Sequence, residues 1–409
     1  MLAFLFSNLA FGNGQSTHCW ISEQAIQILP EGELREIMAD PRFEQQWRNG
    51  TMFPDGGYAV DDGYGEISHW EPFQIDYLNW IKANYSQPWS LEAKQHIAFL
   101  MGLGSHGLAD QSFDAMYFRR AYQYDQNGNW SESLDTATDV AFIAQTGAQP
   151  TPDSWIPMDA MLEIFAQQNY DVSPDTIEQG QTLLGVAIFW VGNASQNEEI
   201  LTTQQSYYPW ATSNLLNTDY SGSPPIEADI VAAYWRILWS QLHDEELEEQ
   251  VLYAYPPAGT YEYPRDKDDI ESNLSVVFAK GIDTSTLTEN MFYVNDSDGF
   301  GHPIGIDVFY GSDSHVVNIT PLVDWQEDTD YQLIITKDLS FRDGTSLGSD
   351  WKWSFSTKKA PEIPKTVPEV KTGCQADDNS KGCRAVEKRS HFPLILLGMI
   401  VFGLRRRND

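Results

Sequence analysis

The sequence predicts a mainly α-helical domain followed by a β-sandwich, and three observations carry that expectation. Apolar residues recur at three- and four-residue spacing between about residues 16 and 245. The texture changes near Pro256 and Pro257. Beyond them, short β-branched or aromatic runs alternate with Gly, Asp and Asn turns.

The elements follow in order. Residues 1–12, MLAFLFSNLAFG, are apolar, with Ala10 and Gly12 as small residues before a cleavage point. They read as the end of a secretory signal peptide whose charged start is missing, the alternative being a buried N-terminal helix. Residues 13–250 form the helical domain, in which ISEQAIQIL, FQIDYLNWIKANY, LEAKQHIAFLMGLGSHGLAD and DIVAAYWRILWSQL each gather apolar positions on one face. Ser90 stands before LEAK as a helix cap, and Pro72 and Pro157 stand where a first turn tolerates proline. Residues 251–358 carry SNLSVVFAKGI, GIDVFY, SHVVNITPL, TDYQLIIT and WKWSFST, the spacing of an antiparallel sandwich. Residues 359–391, rich in Lys, Pro, Glu, Val, Ser and Asp, read as a disordered linker. Residues 392–409 hold the apolar run Phe392–Leu404 followed by Arg405, Arg406 and Arg407. That run is shorter than the roughly 20 residues of a comfortable bilayer span. The Arg triplet nevertheless suits a membrane stop, so the segment is a hydrophobic anchor or a sorting tail.

Composition excludes one class of function. The formal net charge is −34, and eleven of the 25 basic residues follow Thr357, so the body before it is more acidic still. Such a body repels polyanions, and no stable nucleic-acid partner is expected. Three cysteines are too few for a disulfide framework.

Metal-ligating side chains concentrate near the N-terminus. Half of the eight histidines precede residue 110. His106 and Asp110 lie four apart, which puts an imidazole and a carboxylate on one helical face, and Asp114 extends the stripe by a turn. HxxxD by itself is equally a helical ion pair. His18 stands ahead of an amphipathic helix, Asp55 follows Pro54 in a Gly-flanked loop, and His69 precedes another helix start. Together they make the nitrogen and oxygen mixture that zinc favours.

These motifs occur in one frame: SxHxWIxxxAIxIL from Ser16, FPD at 53–55, SHWxPF from Ser68, AFLxGxxSHxxAD from Ala98, and the carboxylate pair of LDTATDV. In that order they resemble the zinc-dependent phospholipase C family, above all the N-terminal domain of glycosylphosphatidylinositol-specific phospholipase D. The likeness runs nearly unbroken from Ser16 to about Gln145 and thins toward residue 245. It implies a helical phosphodiesterase or phosphomonoesterase fold with up to three clustered Zn²⁺ ions. Asp55, His69, His106 and Asp110 would hold one, with Asp110 bridging to a second that also takes His18, completed in the family by the mature N-terminal backbone. Asp55 and Asp110 are then the expected catalytic carboxylates. At the third site, where the resemblance implies a His on the helix after HxxxD and a second HxxxD or HxxxE, this sequence has Asp114, Asp135 and Asp139. A set of carboxylates alone favours Mn²⁺, Mg²⁺ or Ca²⁺ over zinc. Trp70, Phe113, Tyr117 and Phe118 are candidates for an apolar lip, with core packing the more ordinary role.

Two further resemblances complete the chain. VVFAKGIDTSTL, ITPLVDWQEDTDYQLIIT and WKWSFST resemble bacterial Ig-like modules, which would act as spacer or adhesin. GCQADDNSKGC, the apolar run and the terminal Arg cluster resemble C-terminal sorting signals of bacterial surface proteins. The expectation is a secreted or cell-surface metal-dependent phosphoester hydrolase, a phospholipase of C or D type acting on phospholipid or phosphodiester and held at the membrane surface by its C-terminal tail. The alternatives are a single-strand nuclease-like phosphodiesterase on the same scaffold and a catalytically inactive surface binding or adhesion protein.

Overall fold

A computed structural model describes residues 12–125, 133–245, 249–308 and 314–360 of the protein. The expected signal up to Phe11 and the expected linker and tail beyond residue 360 lie outside the described residues. The helical part comprises α1 (Gln15–Ile28), α2 (Glu33–Met38), α3 (Glu44–Gly50), α4 (Phe53–Ala59), α5 (Tyr64–His69), α6 (Glu71–Asn84) and α7 (Leu91–Ser112), followed by α8 (Arg119–Tyr124), α9 (Leu134–Thr146), α10 (Met158–Gln167), α11 (Pro174–Ala194), α12 (Glu198–Tyr207), α13 (Pro209–Asn214) and α14 (Pro224–Leu242). Between α7 and α8 the chain continues as a π-helical segment, Phe113–Phe118.

The central element is α7. Ser90 caps it as the sequence suggests, accepting from Ala93 N at 3.1 Å. Every residue from His96 to Ser112 is buried, so the helix is enclosed on all sides rather than half-exposed. Its contact with α3 depends on two glycines. A Cβ on Gly50 would lie 2.3 Å from Phe99 O, and one on Gly102 would lie 2.2 Å from Trp47 O. Backbone therefore meets backbone, and this close approach fixes α7 one turn before His106.

The first helix begins earlier than its apolar pattern indicates. Apolar spacing starts at Ile21, yet α1 starts at Gln15, so His18 sits inside the helix. Gly14 at the N-cap offers no side chain, and the orphan amides are taken instead by a carboxylate far along the chain. Asp139 accepts from Thr17 N at 2.8 Å, Thr17 Oγ1 at 2.7 Å and Ser16 N at 3.3 Å. A carboxylate at a helix N-terminus also meets the positive end of the dipole.

The β part is a two-sheet antiparallel sandwich of β1 (Val251–Tyr255), β2 (Leu274–Phe278), β3 (Phe292–Asp296), β4 (Gly301–His302), β5 (Ile304–Val308), β6 (Val316–Pro321), β7 (Asp330–Ile335) and β8 (Trp351–Ser356). One sheet runs β1-β2-β6-β5 and the other β4-β3-β7-β8. In β7, Tyr331, Leu333 and Ile335 point inward while Asp330 is exposed, the alternation of a strand covered on one face. Strand β2 differs, because all five residues are buried. Leu274, Val276 and Phe278 enter the sandwich core, whereas Val277 joins Ala279 and Val316 in the helical core. The sandwich is thus not a detached spacer; one face of its first sheet closes the helical core. Arg120, buried on α8, donates from Nε to both oxygens of Glu271 at 3.0 and 3.1 Å across the same boundary.

Gly102→Ala tests the packing of α7. The added methyl meets backbone that cannot swing aside, and the substitution should cost about 2 kcal/mol or more, read as a lower midpoint in urea unfolding with the slope unchanged.

Candidate metal centre

Four helices deliver the side chains. Pro54 sits in the first turn of α4, leaving Asp55 in that turn with its carboxylate inward. His69 is the last residue of α5. One heptad of α7 supplies His106 and Asp110, and α1 supplies His18. Asp55, His69, His106 and Asp110 are all buried, and one ligand atom from each lies within 4.8 Å of the others.

Backbone contacts orient both imidazoles of this quartet. His69 Nδ1 lies 2.8 Å from Gly65 O and His106 Nδ1 lies 2.8 Å from Thr51 O. A carbonyl can only accept, so each ring carries its proton on Nδ1 and turns Nε2 inward. The two Nε2 atoms approach to 2.9 Å. Asp55 Oδ1 lies 3.4 Å from His69 Nε2 and 3.6 Å from His106 Nε2, and Asp110 Oδ2 lies 3.5 and 3.3 Å from the same atoms. Two imidazole nitrogens and two carboxylate oxygens that converge this closely call for positive charge among them, which a proton or a metal ion can supply. The donor set, two imidazoles and two carboxylates, fits zinc.

The proton equilibria show the same demand. Burial would depress His69, but hydrogen bonds and charge from Asp110 and Asp55 outweigh it and push its pKa up to about 10. Burial and the neighbouring His18 lower His106. Asp55 and Asp110, despite burial that would raise them, are held below the usual carboxylate range by the imidazoles around them. His18, fully buried, places Nε2 2.9 Å from Asp110 Oδ1. Its Nδ1 has no hydrogen-bond partner. Nε2, the nitrogen turned to Asp110 Oδ1, and that oxygen suit a further cation beside the first.

The expected third set divides. Lost hydration, and after it the charges of Asp114 in the π segment, Asp110 and Asp55, raise the Asp135 carboxyl well above the ordinary range. Asp139 does not join them as an open ligand, because both of its oxygens are engaged by the first turn of α1. A further buried carboxylate, absent from the sequence expectations, stands within electrostatic reach of Asp110 and Asp114. Glu227 of α14 is fully buried and accepts from Asn13 Nδ2 at 3.1 and 3.0 Å. Burial and the charges of Asp110 and Asp114 push it well above its ordinary value. Its signal was present: Glu227 shares the inward stripe of α14 with Ile230, Val231 and Tyr234, where a lone carboxylate has no apolar purpose.

The chain from Gly12 to Gln15 threads between these groups. Asn13 N donates to Asp110 Oδ1 at 2.9 Å, and Gln15 Nε2 donates to Asp55 Oδ2. A Cβ on Gly12 would lie 2.4 Å from Asp110 Oδ1, and one on Gly14 would lie 2.3 Å from Asp139 Cβ. At the rim, Glu66 accepts from Tyr58 Oη at 2.6 Å and from Trp70 Nε1 at 2.9 Å, beside His69. Phe113 and Tyr117 are fully buried among Leu134, Val140 and Tyr208 and are core residues, not a lip. Trp70 and Phe118 are half-buried.

Residues 250–357 match the family described as "Bacterial Ig-like domain". The chain is 30% identical over 130 residues to "Phosphatidylinositol-glycan-specific phospholipase D" of Rattus norvegicus, a stretch covering 30% of this chain and 15% of that protein. The human protein of that name is 30% identical over 135 residues, and that of Dictyostelium discoideum 28% over 173, covering 29% and 39% of this chain and 16% and 18% of theirs. Among solved structures, Clostridium perfringens alpha-toxin aligns over 84% of this chain and 99% of its own at 11% identity and TM-score 0.25. The surface layer protein SbsC, domains 1–6, aligns over 85% of this chain and 45% of its own at 9% identity and TM-score 0.22. Among the described residues no helix is long and apolar enough to cross a membrane.

Two outcomes test the centre. His106→Ala and Asp110→Asn should each lower the zinc content of natively purified protein, measured by elemental analysis, and lower the melting temperature of the zinc-loaded form. Wild-type protein lacking zinc, and not stabilised by adding it, would sink the assignment. Asp139→Ala should instead cost about 1–2 kcal/mol in the chelated protein, since its contacts with α1 exist without metal. Equal urea midpoints for that variant and wild type, both in chelator, would contradict the capping role.

Proposed function

We propose that the chain is a metal-dependent phosphoester hydrolase, of phospholipase C or D type, acting on phospholipid or a short phosphodiester. The observation that carries this reading is the convergence of the His69 and His106 Nε2 atoms with Asp55 and Asp110. The partial likeness to phosphatidylinositol-glycan-specific phospholipase D supports the substrate class.

Asp55, His69, His106 and Asp110 would hold Zn²⁺, and His18 with Asp110 would hold a neighbour; bound there, the ions would neutralise charge at a phosphoryl group and lower the pKa of water. Asp114, Asp135 and Glu227 add carboxylate ligands that suit Mn²⁺, Mg²⁺ or Ca²⁺. The remaining work falls to the protein's own side chains. Asp55, kept ionised, orients an attacking water and accepts its proton at Oδ2, the oxygen turned away from the imidazole nitrogens. Gln15 holds Asp55 in place through its Nε2. Tyr58 and Trp70, tied together by Glu66, present aromatic surface at the mouth, where a lipid headgroup would enter. Export through the N-terminal run and retention at the bacterial cell surface through Phe392–Leu404 complete the proposal.

The experiment compares purified protein on phosphatidylcholine, phosphatidylinositol and single-stranded DNA, with and without chelator. Phospholipid should be cleaved faster than DNA, chelation should abolish cleavage, and deletion of residues 373–409 should release active protein into the medium. Faster cleavage of DNA would overturn the lipid reading, and hydrolysis indifferent to chelator would overturn the metal mechanism.

A further inference from the structure

The sandwich reaches the metal-bearing elements at three places. Gly281 N donates to Glu71 Oε2 at 2.7 Å, two residues beyond His69. His315 N donates to Gln111 Oε1 at 2.8 Å, directly after Asp110. Asn318 Nδ2 on β6 donates to Ala115 O at 2.9 Å, directly after Asp114. Asn318 is buried and is itself oriented, because its Oδ1 accepts from Ser275 Oγ at 2.7 Å across the β2–β6 register.

The third contact falls on an unusual backbone. A π turn spaces its hydrogen bonds one residue wider than an α-helix, and where the two join, backbone groups lose their ordinary partners. Such a segment persists where other groups meet them. Ala115 O receives Asn318, and Met116 O receives Arg120 Nη1 at 3.0 Å, whose guanidinium is paired with Glu271 of the sandwich. Gly222, at φ +78°, packs against Ser112 O and Tyr117 N, where a Cβ would come within 2.8 Å of both. Two of these three supports depend on the sandwich, and Asp114 lies inside the segment they hold.

We infer that Asn318 is a positioning residue for the metal centre: through Ala115 it holds the π segment that directs Asp114 inward, so the Ig-like module is a working part of the hydrolase. The inference rests on the cluster being a metal centre, not on which phosphoester is cleaved.

Full-length Asn318→Leu, Ser275→Ala and Asp307→Ala are compared with wild type. Asp307→Ala breaks the exposed Arg119–Asp307 pair at the same boundary, opposite Asn318 in the β5–β6 register, and leaves the Asn318–Ala115 bond in place. Zinc and manganese affinities are measured by competition with a chromophoric chelator, alongside the melting temperature of the metal-free form. Asn318→Leu should weaken at least one of the two metals about tenfold or more, Ser275→Ala should do so to a smaller extent, and Asp307→Ala should match wild type. Lower melting with both affinities unchanged in Asn318→Leu would overturn the inference, leaving Asn318 as interface packing. If Asn318→Leu does not fold, Ser275→Ala decides in the same way. Wild type that binds neither metal overturns the metal centre and this inference with it; wild type that binds metal but cleaves no phosphoester overturns the proposed function alone.

Discussion

Buried carboxylate charge is the constraint around which the helical part is organised. Asp55, Asp110, Asp114, Asp139 and Glu227 are withdrawn from water in one region, with Asp135 beside them and the imidazoles of His18, His69 and His106 interleaved. Unpaired burial of even one such charge is costly, and several together repel one another. The fold answers with two kinds of partner: imidazoles aimed by backbone carbonyls, and the amides at the start of α1. The glycine at 14 follows from the same constraint, because a side chain there would run into Asp139.

The second organising feature is the shared core. Strand β2 alternates as any strand must, but its two faces belong to different domains: Val276 looks into the sandwich and Val277 into the helices. Removing the sandwich would expose that apolar face and withdraw the donors on Glu71, Gln111 and Ala115. Stability and site geometry are therefore coupled through one sheet, and α7, enclosed from His96 to Ser112, connects them.

Much of this was legible in advance. The helical and sandwich textures, the Ser90 cap and the group of Asp55, His69, His106 and Asp110 all follow from local spacing and motif order. Two carboxylates have partners that were not legible. Asp139 entered the third site through the resemblance, and its bonds to Ser16 and Thr17, more than a hundred residues away, follow no local pattern. Glu227 was passed over because it stands alone in a helix far from the other ligands, though its place on an apolar stripe set it apart.

The sequence by itself determined which segments become helix and strand, because periodicity and capping act within a few residues. It also determined that nitrogen and oxygen ligands fall at helical spacing on α7, since i and i+4 share a face whatever surrounds them. Only the tertiary structure decided which carboxylates face one another, that α1 would begin at Gln15 against a distant Asp139, and that a strand of the sandwich would hold the π segment after Asp110. Those outcomes depend on desolvation and on hydrogen bonds between groups remote in the chain, and no local pattern encodes which remote partner will arrive.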